Sequence, residues 1–356
     1  MPSYFSKTSR LGRVNTGSVA QRLADTPGVA RTILDAARAA RGMAGADLRA
    51  MSHSWLFTGP PGSGRSLAAI DFAAALMCTD PEEPGCGRCE ACRAVLETKQ
   101  HTDLVLVDPQ EVIIPVDTVR EVIGRAASLP TVAPWRVVIF NNADRLNNNG
   151  ANALLKTVEE PPARTVIIMC APSDAPEDFS QTLRSRCRHL YIPSPSVKSI
   201  TSQLVSEGAS DHDAHLAALT SLRHVGRARR LVNDPAVQKR RAVAINLAEE
   251  VFHGSQGFQA VTSLLKMVDA EAKDSHKGQE EAELAKLEQT LGVGAKGKGA
   301  AKAQRDARSA IKDLQDQHKK RAKRRVIDNL DLVLIDLSGV YRDALMQKVG
   351  AQVDLT

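Results

Sequence analysis

Five short runs of apolar residues in the first half of the chain have the length of buried strands. Between them, apolar residues recur at helical spacing. Continuous apolar strands that alternate with helices are typical of a parallel sheet covered on both faces. We therefore predict such a sheet over residues 18–193, with strands at 55–59, 103–108, 135–142, 164–170 and 188–192. The predicted helices cover residues 18–50, with a break at Pro27 and Gly28, then 66–78, 116–129 and 150–160.

The second half of the chain has helical periodicity throughout. After a linker rich in Pro and Ser at 193–197, we predict helices over 196–207, 211–232 and 235–253, followed by a long helical region. The stretch GVGAKGKGAA at 292–301 interrupts this region, and we expect a flexible tip between two charged helices. Near the end, apolar residues at three- and four-residue spacing form a stripe suited to helix packing: Val326, Leu330, Val333, Leu334, Leu337 and Val340.

These patterns predict an α/β domain followed by two all-α domains. We place a flexible extension at 1–17, the α/β domain at 18–193, a small helical domain at 194–234 and a larger one at 235–356. The larger helical domain contains a charged insertion at 271–325.

The chain has 356 residues and a net charge of +6, but the excess lies in one segment. Residues 271–325 hold 15 basic and 9 acidic side chains, and the rest of the chain holds 32 of each. A basic balance often indicates a nucleic-acid partner, so the even balance elsewhere argues against a dedicated DNA-binding protein. The chain has neither an apolar run of about 18 residues, as a membrane helix needs, nor the apolar core of a secretory signal. We therefore expect a cytoplasmic protein without a membrane partner.

The stretch GPPGSGRS at 59–66 matches a phosphate-binding loop, G-x-x-x-x-G-K-[ST], except that arginine replaces lysine. Backbone N–H groups in such a loop point at a phosphate, and the hydroxyl after the basic residue reaches magnesium. Arginine is larger and forked, so it is a poor substitute for the compact lysine charge. The sequence predicts at most weak ATP binding and no hydrolysis. The residues in the expected positions are Gly59, Gly62, Gly64, Arg65 and Ser66.

A later strand bears on the same function. In related ATPases an acidic residue at the end of such a strand holds Mg²⁺, and a following glutamate often polarises water. Here the strand at 135–142 ends in Asn141 and Asn142, which have no charge for a metal and cannot act as bases at neutral pH. A polar turn after a strand is sufficient to explain both asparagines. Asp144 lies two residues on, and we expect it to be out of reach. The missing lysine in the phosphate loop and the missing acids after the later strand together favour a protein that no longer hydrolyses ATP.

A cluster of cysteines predicts a metal site. Four of the six cysteines have the spacing C-x7-C-x2-C-x2-C: Cys78, Cys86, Cys89 and Cys92. Four thiolates suit a tetrahedral structural Zn²⁺ and leave no open position for catalysis. The stretch between them is rich in Pro, Gly and acidic residues, so a metal would supply its order. Iron–sulfur ligation and redox or disulfide use are the alternatives. Cys170 and Cys187 stand alone, and we expect them to be small packing residues.

Three features converge: the altered phosphate loop, the cysteine segment directly after its helix, and NALLKTVEEPP at 152–162 followed by LRSRC at 183–187. Together they resemble the clamp-loader AAA+ subunits of bacterial DNA polymerase III. The resemblance is detailed over about residues 50–190 and weaker from 195 to 260. Gamma/tau members keep the lysine and an Asp-Glu pair, which this chain lacks. The family's first cysteine gap commonly has eight residues, whereas this chain has seven.

The resemblance implies an α/β AAA+ P-loop NTPase-like domain with a zinc insert, an all-α lid and an all-α collar that joins subunits. It implies a ring with gamma/tau and delta partners that places a sliding clamp on primed DNA. Arg186, the arginine of Ser-Arg-Cys, would be a trans arginine finger in a neighbour's ATP site. Arg229, from the lid motif G-x-x-R, would face nucleotide. A basic loop on a solvated face is the alternative for Arg186, and a structural helix face is the alternative for Arg229.

Three functions remain open on the sequence. The first is a non-hydrolysing clamp-loader subunit that supplies Arg186 to a neighbouring ATPase. The second is an active ATPase of the gamma/tau type. The third is a free-standing DNA-binding zinc module, which the even charge outside 271–325 and the scarcity of aromatic residues disfavour. The basic run KKRAKRR at 319–325 would contact a phosphate backbone or form a solvated helix face.

Overall fold

The computed structural model describes residues 17–109, 112–274, 276–291 and 300–351, and for residues 279 and 300–306 it describes the backbone alone. The expected extension, apart from Gly17, lies outside the described residues, and so does most of the expected tip at 292–301. The described chain forms two compact units. One contains residues 17–109 and 113–194, and the other contains residues 195–351 with Val112.

A five-stranded parallel sheet lies at the centre of the first unit. Its strands are β1 Ser54–Thr58, β2 Leu104–Val107, β3 Arg136–Phe140, β4 Thr165–Ala171 and β5 Arg188–Tyr191. They lie in the order β2-β3-β4-β1-β5, and all neighbours are parallel. Side chains alternate between the faces, so Trp55 and Phe57 join one core while Leu56 joins the other. The five predicted strands and the parallel sheet are confirmed.

Helices cover both faces of this sheet: α1 Val19–Arg22, α2 Pro27–Ala40, α3 Arg65–Met77, α4 Glu90–Arg93, α5 Val116–Ala126, α6 Asn148–Glu159 and α7 Gln181–Arg184. Helices α2 and α3 share one core, and α5 and α6 share the other. The predicted break at Pro27 was misplaced. Pro27 is the first residue of α2, where its fixed φ and missing N–H are well suited, and the chain turns before it.

The second unit is entirely helical in its described part: α8 Val197–Ser206, α9 Asp211–Thr220, α10 Val225–Asn233, α11 Pro235–Glu250, α12 Ser255–Asp274, α13 Lys277–Thr290 and α14 Ala300–Lys348. The single helix predicted over 211–232 was wrong. The chain reverses between α9 and α10, where Leu222 and Arg223 adopt positive φ of 53° and 63°. No glycine or proline marks this turn, so the sequence lacks its usual signal.

The second unit has two separate cores. Helices α8, α9 and α10 enclose one around Ile200 and Leu204. Helices α11, α12 and α14 enclose the other around Leu264, Val268 and Val333. The predicted apolar stripe of α14 contributes to this second core. The lid and collar assignments stay predictions. Within the described ranges, no helix is both long and apolar enough to span a membrane.

Candidate functional site

The loop at 59–64 joins the carboxyl end of β1 to the start of α3, and ligands of parallel α/β sheets bind at this edge. Gly59 has no room for a side chain, because a Cβ there would collide with the backbone carbonyl of Ile192. Gly64 precedes α3 with φ of 89°, a left-handed conformation that favours glycine. The backbone of the loop therefore requires glycine at both positions.

Arg65 turns back into its own loop. Its guanidinium donates a hydrogen bond to the carbonyl oxygen of Gly59. Burial lowers the pKa of Arg65, and Cys170, Asp144 and Asp178 partly oppose this effect. The two acids follow the carboxyl ends of β3 and β4. Two of the protein's own acids therefore lie near the positive charge of Arg65, and its side chain is bonded to the loop backbone.

The carboxyl end of β3 supplies amides where a metal site needs acids. The side-chain Oδ1 of Asn141 is buried and has no hydrogen-bond partner among the described residues. Asn142 adopts left-handed backbone geometry, with φ of 52°. Asp144 was expected to be out of reach of the loop, yet Asp144 and Arg65 lie close enough for each charge to shift the other's pKa. Burial raises the pKa of Asp144 and thus weakens it as a metal ligand.

Unpaired polar atoms remain at this edge. Ser63 Oγ, Asn141 Oδ1 and Asp144 Oδ1 are all buried without a hydrogen-bond partner in the part of the chain that the structure describes. Buried polar atoms are rarely left unpaired in folded proteins. The edge therefore has hydrogen-bonding capacity for a polar ligand or ordered water, but not the pair of carboxylates that metal-assisted hydrolysis uses.

The sequence reasoning missed Asp178. Strand β4 lies beside β1, so the residues after β4 lie next to the phosphate loop. The backbone N–H of Gly59 donates to Pro172 at 3.2 Å, and Ser173 Oγ donates to Asp178 at 2.6 Å. The strand order places Asp178 near Arg65, and the sequence alone does not give that order. The available signal is that Asp178 is an acid soon after an apolar strand, as Asp144 is.

The four clustered cysteines converge on one point. Their sulfur atoms all lie within 4.8 Å of one another. Cys78 Sγ lies 3.7 Å from Cys86 Sγ and 3.9 Å from Cys89 Sγ. A tetrahedral zinc ion holds its sulfur ligands about 3.8 Å apart, whereas a disulfide requires about 2.05 Å. The arrangement therefore fits a metal ion held by four thiolates and does not fit a disulfide.

Local structure positions these sulfurs. Cys92 N–H donates to Cys89 Sγ, and Cys89 N–H donates to Cys86 Sγ, each at 3.4 Å. Hydrogen bonding between the Cys92 and Cys78 thiols lowers the pKa of Cys78 and raises that of Cys92. Gly87 has φ of 72°, and a Cβ there would collide with the backbone of Gly17. The cysteine segment is thus packed tightly against the start of the described chain.

Arg186 lies on the surface between α7 and β5. Its guanidinium contacts the Glu159 carboxylate and donates to the Thr182 carbonyl at 2.9 Å. Its side chain is 37% exposed. The flanking arginines have structural partners: Arg184 donates to Asp174 at 3.0 Å, and Arg188 lies 4.8 Å from the ring centre of Trp55. Arg186 is therefore paired within its own unit but remains partly exposed, as Arg184 does.

Arg229 and the two isolated cysteines, Cys170 and Cys187, have structural partners or are buried. Arg229 belongs to the second unit and forms a two-pronged ion pair with Glu207 at 2.6 and 2.5 Å. Its neighbour Arg227 is buried and paired with Asp336. Cys170 and Cys187 are buried, and burial raises the pKa of each to about 12. Both are therefore unreactive packing residues at neutral pH.

Comparison with known proteins gives a family match that lies almost entirely in the first unit. Residues 45–196 match the family model described as "DNA polymerase III, delta subunit". The chain is 36% identical to the DNA polymerase III subunit delta' of Pseudomonas aeruginosa over 40% of this chain and 44% of that protein. It is 32% identical to the subunit tau of Bacillus subtilis over 43% of this chain and 26% of that protein.

Among solved structures, a gamma subunit-related protein of DNA polymerase III from Thermotoga maritima is 16% identical, with a TM-score of 0.33. That similarity covers 80% of this chain and 94% of the other. The chain matches 44% to 61% of the length of three curated delta' relatives.

Proposed function

We propose that the chain is a non-hydrolysing clamp-loader subunit of the DNA polymerase III delta-prime family, because residues 45–196 match the family model and the chain is 34–36% identical to two delta' subunits over part of their length. It would assemble with gamma/tau and delta subunits into a ring, support that ring, and help to place a sliding clamp on primed DNA. The observation that carries the absence of hydrolysis is the contact of Arg65 with Gly59 inside the phosphate loop.

That contact favours inactivity for a physical reason. The basic residue of a working loop extends toward the β and γ phosphates, but Arg65 bonds to the loop's own backbone and has acids nearby. Asn141 and Asn142 supply no charge for Mg²⁺ and no base for water. Positioning and charge stabilisation provide most of the catalysis of phosphoryl transfer, so this site has lost the groups that provide it.

Nucleotide titration and turnover of the purified chain test the proposal. We expect no magnesium-dependent ATP hydrolysis by the chain alone. Hydrolysis that Ser66→Ala abolishes, and that the exposed control Ser206→Ala leaves intact, would show an active enzyme of the gamma/tau type instead. Titration with labelled ATP shows whether nucleotide binds passively, and repeating it without magnesium shows whether that binding depends on the metal.

We further propose that Arg186 acts on a neighbour's nucleotide. It is exposed, and its acidic partner Glu159 is itself half-exposed, so a γ-phosphate could replace that partner. A trans arginine stabilises charge on the transferring group and contributes about 10³ to 10⁵ in rate. Arg186→Ala in the assembled complex, with clamp and primed DNA present, should remove ATP turnover at the adjoining site. Arg120→Ala, a surface change in the same unit, serves as the control. Unchanged turnover in the Arg186 variant would refute the assignment.

The four clustered cysteines would hold a structural Zn²⁺ in this proposal. The donor set is entirely sulfur, the sulfurs have tetrahedral separations, and no position is left for a substrate. The ion would cross-link a segment that has little apolar mass of its own. Elemental analysis of protein purified without chelators should give about one zinc per chain. Less than about half an equivalent, or iron together with visible absorption, would contradict it.

The second unit offers surfaces for ring assembly. Phe252 and Phe258, near the turn between α11 and α12, are 77% and 81% exposed. Leu334 and Leu345 on α14 are also exposed. We propose these exposed apolar side chains as the contacts for ring assembly. Size-exclusion chromatography with gamma/tau and delta partners should show a complex that Phe258→Gln weakens. Failure of the unaltered chain to form any complex would refute the proposed assembly.

A further inference from the structure

One face of α14 carries basic side chains that the proposed function does not use. Arg308, Lys312, Lys319 and Lys323 are exposed, and we call these four residues the basic stripe. At about 100° per residue they lie within an arc of about 60° on the helix. At about 1.5 Å per residue the stripe is about 22 Å long. It is therefore a straight, narrow row of positive charge.

The opposite face of α14 is occupied by ion pairs with α13. His318 and Arg321 contact the Glu283 carboxylate at 2.9 and 2.8 Å. Arg325 contacts the Glu280 carboxylate at 2.7 Å. These contacts use two of the four acids of α13 and turn one face of α14 inward. As a result, the basic stripe faces solvent, and part of the run KKRAKRR is structural instead of free.

Within the stripe, positive charge is hardly neutralised. Lys319 pairs with Asp316 at 2.9 Å in an exposed i,i+3 contact, which is a weak interaction. Among the described residues, Arg308, Lys312 and Lys323 form no salt bridge, although Asp316, whose pKa is lowered mainly by Lys319, also interacts with the charge of Lys312. Of the eight basic side chains in residues 308–325, Arg321, Arg324 and Arg325 pair with acids, so the stripe itself supplies most of the remaining positive charge. The face thus has an excess of positive charge that a polyanion would neutralise.

We propose that the basic stripe binds the phosphate backbone of duplex DNA without sequence preference. Its length of about 22 Å covers about six or seven phosphates of one strand, at about 3.4 Å each. Proteins that bind single strands stack bases on aromatic rings, and the only ring in residues 308–325 belongs to the buried His318. The face also lacks the large apolar side chains that an interfacial membrane helix inserts. The choice of DNA over other polyanions rests on the proposed function.

The test uses the full chain and a fluorescein-labelled 20-base-pair duplex, with anisotropy measured across a range of salt concentrations. The stripe variant is Arg308→Gln, Lys312→Gln and Lys323→Gln together. Losing three phosphate contacts should reduce the slope of log K against log salt by about 2 to 3, since each contact contributes about 0.9. Affinity near 0.1 M salt should fall at least about tenfold. Circular dichroism checks that the variant keeps its helix content.

A matched variant removes the same charge from other helices: Lys239→Gln, Lys266→Gln and Lys277→Gln. These lysines are also exposed. The control should keep the slope and affinity of the unaltered chain. If the stripe variant keeps them too, or if both variants lose affinity equally, the proposal is wrong. Equal affinity for polyglutamate of matched charge would identify an acidic protein as the partner. Tighter binding to a single strand of the same length would refute the duplex assignment.

Assembly measured on the same samples separates this inference from the proposed function. The stripe variant should form the complex with gamma/tau and delta subunits as well as the unaltered chain does. If the stripe variant assembles normally and binds DNA as the unaltered chain does, the DNA-binding proposal is refuted while the clamp-loader proposal stands. If the unaltered chain does not assemble, the proposed clamp-loader role fails, while the salt slope still reports whether the stripe contacts DNA.

Discussion

Asp103 holds together the amino ends of β2 and β3. Its carboxylate accepts hydrogen bonds from the backbone N–H groups of Thr131, Val132 and Ala133 at 2.9, 2.7 and 2.9 Å. It also forms an ion pair with Arg136 at 2.9 Å, and the two side chains are 0% and 7% exposed. A buried charge this well bonded is strongly destabilising to break.

Asp103→Asn keeps the side-chain shape but removes the charge. The buried guanidinium of Arg136 then loses its ion pair, and one amide N–H₂ points at N–H donors instead of accepting from them. Removing one partner of a buried pair costs about 3–5 kcal/mol. For a unit of about 150–250 residues, 1 kcal/mol shifts Tm by about 2–4 °C. We therefore expect Tm to fall by about 6–20 °C.

Both tryptophans of the chain, Trp55 and Trp135, lie in the first unit, so their fluorescence reports its unfolding in urea and on heating. The control is Asp117→Asn, whose pair with Arg120 at 3.2 Å has side chains 88% and 69% exposed. That change should cost less than about 1 kcal/mol. If Asp103→Asn also costs less than about 1 kcal/mol, the reasoning about the buried network is refuted.

The network also predicts a pH dependence. Burial alone would raise the pKa of Asp103, but hydrogen bonds from Ala133, Thr131, Val132 and Arg136 outweigh burial and lower it below the ordinary 3.8. Because the folded-state pKa is lowered, the charged carboxylate stabilises the fold above the ordinary pKa, and this stability is lost as pH falls through the folded-state value. The stability difference between the unaltered chain and Asp103→Asn should be constant near neutral pH and shrink below about pH 4.

Three further changes test other parts of the structure. Cys92→Ser should abolish stoichiometric zinc in elemental analysis while Cys187→Ser retains it, and equal zinc in both would exclude the proposed site. Asp336→Asn strands the buried Arg227, whose side chain is 7% exposed, and should destabilise the second unit by about 3 kcal/mol or more in urea followed by circular dichroism. A midpoint equal to that of the unaltered chain would contradict this. Gly59→Ala should cost about 1–3 kcal/mol in tryptophan fluorescence, because Cβ meets the Ile192 carbonyl, and a neutral result would show that the loop can shift.

The positions of the strands and the presence of a cysteine cluster could be derived from the sequence, because both depend on local pattern. The apolar runs placed the four strands β1 to β4, since a strand buried on both faces must be largely apolar along its length. The edge strand β5 was also placed, although it is only partly buried. The spacing of the cysteines predicted a cluster, and the structure brings the four sulfurs together. The break predicted at Pro27 and Gly28 was placed a few residues too late, since the pattern does not show on which side of a proline the chain turns. The turn at Leu222 was missed, since it contains neither glycine nor proline.

The sequence by itself determined that this protein has a parallel sheet, a glycine-rich loop without its lysine, asparagines in place of acids, and a four-cysteine segment. Tertiary structure decided what these residues face. The order β2-β3-β4-β1-β5 brings Asp144 and Asp178 near Arg65, because the carboxyl ends of neighbouring parallel strands meet at one edge. Likewise, the packing of α13 on α14 decided which basic residues are bonded and which face solvent. Local periodicity contains no information about such distant partners.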